Sequence, residues 1–100
     1  MGLFGFTFVR ISGHSMEPML PADTIALFRT RKRVERGDVV LADHPEFGLI
    51  VKRVREVGER GALALEGLSP ASTSAERLGS VEPAAIRGSL VWPRLPADRV

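Results

Sequence analysis

A lysine inside an apolar run and a serine in a glycine-bearing turn are the side chains of this sequence whose types combine into hydrolytic chemistry. Lys52 stands in Leu49-Ile50-Val51-Lys52, where β alternation puts Ile50, Lys52 and Val54 on one face. If that face is the core, an ammonium is buried, and the strain is relieved by a fall of the amine pKa well below its usual value of about 10.4. A neutral amine near neutral pH is a competent general base. If the strand is half-buried or lies at an edge, Lys52 snorkels to water or exchanges roles with Arg53. Ser15 follows Gly13 in Ser12-Gly13-His14-Ser15-Met16-Glu17-Pro18. There the glycine lets backbone approach a ligand, and the Ser15 amide can point outward as an oxyanion donor. A serine hydroxyl attacks only when a base takes its proton, a role that neutral lysine fills as histidine does in a triad. The alternative for Ser15 is a turn serine bonded to its own backbone.

Other residues compete weakly for these roles. His14 adjoins Ser15, but adjacent residues of an extended segment point to opposite sides, so it is a poor base for that hydroxyl. His44, between Asp43 and Pro45, allows a Ser/His/Asp arrangement or, with His14, a metal site, yet a turn histidine is the default. The only histidines are these two, they lack metal-ligand spacing, and there is no cysteine, so no metal centre or disulfide framework is expected. The basic run Arg29-Thr30-Arg31-Lys32-Arg33 has no interleaved aromatics and reads as a solvated loop, so no nucleic-acid partner is expected.

The elements that must position Ser15 and Lys52 are strands. Runs at 4–11, 24–29, 39–42, 49–57, 62–65 and 86–92 are rich in β-branched and aromatic residues and are separated by Gly, Pro and Asp turns. The runs at 49–57 and 62–65 should pair antiparallel. Residues 67–80 are small and polar without a period and are expected to form an ordered surface loop, and 93–100 a frayed tail. A length of 100 residues with 44% hydrophobic and 26% charged residues supports one modest core. The expectation is a single mostly-β domain over 1–100, a coiled or barrel-like antiparallel sheet. The apolar stretch that begins at Leu3 ends at Arg10, far short of the roughly 20 residues of a spanning helix, so no integral membrane anchor is expected.

Three segments, Gly13-His14-Ser15-Met16-Glu17-Pro18-Met19-Leu20, Gly37-Asp38-Val39-Val40 and Val51-Lys52-Arg53-Val54, occur in the order and sense of one known family. In them the chain resembles the signal peptidase I-like serine proteases, whose fold is shared with the LexA-type self-cleaving repressors. The Leu-Ile-Val-Lys-Arg-Val wording looks most like the nickel superoxide dismutase maturation proteases. The resemblance spans about Ser12 to Gly88. It implies Ser15 as nucleophile, Lys52 as general base, and Ser72 as the hydroxyl that hydrogen-bonds the lysine. The Ser15 amide would serve the oxyanion; Gly13 stands where some members carry a serine hydroxyl as second donor, with Ser12 as a poor substitute. Glu66-Gly67-Leu68 replaces the family's Gly-Asp-Asn, and Ser74-Ala75-Glu76 replaces its Asp-Ser-Arg. The supporting Asp–Arg ion pair is therefore missing, and Glu76 with a neighbouring arginine is the expected substitute. Gly79 and Ile86-Arg87-Gly88 fit the pattern.

The function implied is a cytoplasmic, or peripherally membrane-bound, serine endopeptidase that needs no cofactor. It would make limited cuts in a protein substrate bound as an extended strand, with small side chains at P1 and P3, such as the propeptide of a nickel superoxide dismutase. Two alternatives share the fold. A LexA-type self-cleaving domain is disfavoured because the sequence holds no Ala-Gly dipeptide of the kind that family cuts. A catalytically impaired peptide-binding relative is motivated by the altered segment from Glu66 to Glu76.

Overall fold

The computed structural model describes residues 2, 3, 5–30, 33–69 and 73–94. In chain order the strands are β1 (Gly2–Leu3), β2 (Phe6–Arg10), β3 (Ile25–Arg29), β4 (Val39–His44), β5 (Gly48–Val57), β6 (Leu63–Glu66), β7 (Ser80–Val81) and β8 (Ile86–Trp92). A one-turn helix α1 (Ala75–Leu78) precedes β7, and a short 3-10 turn spans Pro83–Ala85. All strand pairings are antiparallel, in one eight-stranded open sheet of order β1-β2-β3-β8-β4-β5-β6-β7. The mostly-β, single-domain architecture is the expected one, and its 12.3 Å radius of gyration suits one folded unit of this length, for which about 13 Å is usual.

Central strand β4 shows why the sheet has two cores. Its Val39-Val40-Leu41-Ala42 run is buried on both faces, as a continuous apolar strand must be. Val39 and Leu41 join Ile11, Met16, Leu20, Ala26 and Phe28 in one cluster. Val40 and Ala42 join Val54, Leu63, Leu65, Leu78 and Val81 in the other. The sheet must curl to wrap these layers, because eight flat strands would measure about 34 Å across at ~4.8 Å spacing, whereas the molecule extends 30 × 29 × 27 Å. Irregularities in register between Leu27 and Phe28, Leu41 and Ala42, and Val54 and Glu56 supply the bends.

The six expected strands are all present, and β5 pairs antiparallel with β6 as anticipated. Two short strands are additional. Gly5, at φ 82°, turns β1 back onto β2, and its carbonyl accepts from the Thr30 hydroxyl at 2.8 Å. The segment 67–80, expected to be loop throughout, holds α1 and the start of β7. The Ser74 hydroxyl caps α1 by accepting from Arg77 N–H, and buried Leu78 anchors it; a single turn with one core residue leaves no period to detect. Of the expected tail 93–100, residues 95–100 lie outside the described residues. No helix among the described residues is long and apolar enough to cross a membrane.

Candidate active site

The Ser15 turn is tied down on both sides. After β2, Ile11 N–H donates to Thr24 O at 2.8 Å and Asp23 N–H returns a bond to Ile11 O at 2.7 Å, closing the loop's base. Gly13 takes φ 80°, a backbone conformation that L side chains resist, so the glycine is required by the turn itself. Glu17 N–H donates to His14 O, and Leu20 N–H to Met16 O. Met16 and Leu20, fully buried, pin the turn into the first core and leave Ser15 half-buried beside them. The Ser15 carbonyl accepts from both Leu68 N–H and Ser69 N–H at 2.8 Å.

Lys52 stands one residue before the point where β6 begins to pair with β5. The last cross-strand pair is Arg53 opposite Glu66, whose side chains also bond, Arg53 Nε donating to Glu66 Oε2 at 2.9 Å. Beyond Glu66 the chain pairs no further with β5, and the amides of Leu68 and Ser69 bond the Ser15 carbonyl instead. Lys52 itself is opposite Val40 and only 5% exposed. The readings in which it snorkels, or yields the interior to Arg53, are therefore overturned: Lys52 is buried although it lies one residue before β6 begins to pair with β5, and Arg53 is engaged by Glu66. No carboxylate among the described residues pairs with Lys52. Loss of hydration consequently pushes its amine pKa below the usual lysine range, with nothing to oppose it.

Ser15 and Lys52 line one cleft of about 310 Å³. Its walls are Val9–Ser12 on one side and Leu49–Lys52 on the other, with Met16 and Leu41 between them. Consecutive residues of each strand contribute, so the cleft runs along strand edges instead of over one pleated face. β2 beyond Thr7, and β5 before Arg53, have a described strand on one side only. The cleft therefore presents unpaired strand edges, apolar side chains, a hydroxyl and a dehydrated amine.

The competing residues are occupied elsewhere. His14 Nδ1 lies 2.7 Å from Glu17 Oε2 on the open surface, and that bond raises the histidine pKa while lowering that of Glu17. His44 is buried with both ring nitrogens used. Nε2–H donates to Leu78 O at 2.8 Å, and Nδ1 accepts from Glu46 N–H and Phe47 N–H. Asp43 holds Arg87 instead of a histidine. His44 is thus the staple between the β4–β5 hairpin and α1. Replacing it with alanine is expected to cost about 2 kcal/mol in urea-melt stability, since it leaves buried partners unpaired. An unchanged urea midpoint in the His44→Ala protein would contradict that assignment.

Of the other expected site residues, Gly13 shapes the turn and Ser12 lines the cleft, whereas Ser72 lies outside the described residues. The substitute ion pair expected at Glu76 does not occur among the described residues. Neighbouring Arg77 reaches Glu46 at 3.0 Å and lies over the Phe47 ring, because α1 packs beside that hairpin. The clamp of Leu68 and Ser69 on Ser15 had no signal in the residue types, being made by backbone; the Arg53–Glu66 pair was visible only as two opposite charges on strands expected to pair. No cluster of His, Asp or Glu suited to a metal occurs among the described residues.

In comparisons with known proteins, a family model described as Peptidase S24-like matches residues 5–91, an interval that contains the turn, the lysine strand and the whole cleft. No curated protein and no solved structure matches.

Proposed function

Since the chain belongs to the Peptidase S24-like family, we propose that it is a serine endopeptidase in which Ser15 is the nucleophile and Lys52 the general base. One observation carries this reading. A lysine 5% exposed and without a carboxylate partner among the described residues borders the same cleft as a serine in a constrained turn. An amine so placed gives up its proton readily and is then able to take one.

In the first step Ser15 Oγ bonds to the scissile carbonyl carbon, its proton passes to Lys52 Nζ, and the carbonyl π electrons move onto oxygen. Collapse of this tetrahedral species breaks the C–N bond, and the leaving amine takes the proton from Lys52. The acyl group remains on Ser15. Water then attacks the ester, giving a proton to Lys52 as it does so; collapse expels Ser15 Oγ, which recovers that proton. The substrate is an extended segment laid along the unpaired edges of β2 and β5, where backbone hydrogen bonds give affinity and the apolar walls select side chains. Small P1 and P3 residues follow from the signal peptidase resemblance. The precursor proposed, from the Leu49–Val54 wording, is a nickel superoxide dismutase bearing its propeptide.

The test is covalent trapping. Acid-quenched reactions with peptides carrying small residues before the scissile bond should contain protein heavier by the acyl portion, and fragmentation should place that mass on Ser15. An adduct on another residue, or turnover with no adduct and no burst of first product, would refute the mechanism.

A further inference from the structure

Arg10 and Lys52 are the charged residues that line the cleft, and among the described residues no carboxylate lines it. Followed back along the chain from Ser15 and Lys52, the walls lead to Arg10 and Val9 on one side and to Leu49 on the other. Arg10 therefore stands toward the end of the cleft remote from the dyad. An extended chain advances ~3.3 Å per residue, so a substrate whose scissile bond lies at Ser15 passes Arg10 about three to five residues away from that bond.

The fold makes little use of this guanidinium. It meets Asp23 through one nitrogen at 3.3 Å, and the two side chains are 70% and 77% exposed, a setting in which an ion pair contributes little. The loop that Asp23 belongs to is already closed by the backbone bonds between Ile11 and both Thr24 and Asp23. Other carboxylates near the cleft are held by cations of their own. Asp43, cross-strand from Leu49, accepts from Arg87 Nε at 2.6 Å, and Glu17 is bound by His14 at 2.7 Å. A guanidinium carries five N–H donors in a fixed fork that fits a carboxylate through two bonds at once, and a single contact to Asp23 leaves most of that fork for a ligand.

We propose that Arg10 is a specificity-determining residue that selects substrates carrying a glutamate or aspartate about three to five residues from the scissile bond. The proposal rests on the endopeptidase reading above and names a feature of its substrate. Asp23 then acts as the internal carboxylate with which the substrate's acid competes. The test is a set of peptides with alanine before the scissile bond and glutamate, glutamine or lysine placed in turn at the third to fifth residue on either side. At one position the native protein should favour glutamate over glutamine about fivefold in kcat/KM, the upper range for a solvated ion pair, and should disfavour lysine. The preference should shrink in 1 M salt, where charges are screened over about 3 Å. Arg10→Gln should erase it and Arg10→Glu should invert it toward lysine. Asp23→Asn should enlarge it by removing the competitor, since asparagine tolerates the φ of 72° found there.

Binding of the same peptides, labelled, to Ser15→Ala protein by fluorescence anisotropy separates this proposal from the mechanism. If Ser15→Ala protein still cuts, the Ser/Lys assignment falls while the glutamate preference is still read in binding and in rate. Equal handling of glutamate and glutamine at every position, or a glutamate preference that survives in Arg10→Gln, overturns the Arg10 assignment alone. Absence of both binding and cleavage with every peptide overturns the two together.

Discussion

Ser15→Ala and Lys52→Ala are each expected to lower peptide cleavage by at least about 10⁴-fold, the scale on which nucleophile and base are lost in other serine hydrolases. The two residues act on one proton, so the double variant should be scarcely worse than either single one. Additive losses would mean that the side chains work independently. The fold should survive both changes. Ser15 is held through its carbonyl, which alanine retains, by Leu68 and Ser69, and the turn's anchors are Met16 and Leu20. Product formation by mass spectrometry, in preparations matched by melting temperature, reads the effect. Cleavage persisting in both single variants would remove the Ser/Lys assignment altogether.

Lys52→Met is expected to divide activity from stability. Cleavage is lost with the base, while the protein becomes more stable at neutral pH, because a chain-like apolar side chain replaces an amine that burial opposes. The direction with pH follows from the lowered folded-state pKa. Between that pKa and the unfolded value of about 10.4, the unfolded chain binds the extra proton. Native stability therefore rises with pH across this window, and the full penalty is present below it. Urea midpoints should show the Met variant's advantage largest near neutrality and shrinking toward pH 10 or so as the unfolded-state lysine also loses its charge. The same depressed pKa sets the acid limb of the pH–rate profile: activity should fall as Lys52 becomes protonated, at a pH below the usual lysine range. An advantage independent of pH, or an acid limb that persists in Lys52→Ala, would show that the amine is not the titrating base.

These outcomes bear on the altered segment after β6, where the family's Asp–Arg pair is missing. The structure holds the start of that segment by other means: Arg53 bonds Glu66 across the ladder, and the next amides clamp Ser15.

Much of this protein was legible from residue order because strands obey a period of two and turns need particular residues. The alternation of Ile50, Lys52 and Val54, the turn-forming Gly13, and the six principal strands all follow from local rules. Tertiary structure alone decided the matters that depend on what lies alongside. Lys52 sits in a half-buried or fully buried strand with the same sequence either way; it lies one residue before β6 begins to pair with β5, so what surrounds it is β4 on one edge and, across the shared cleft, the end of β2 and the Ser15 turn. The Ser15 clamp escapes notice for a related reason, since a backbone amide is the same group in every residue and its partner is set by where the chain passes.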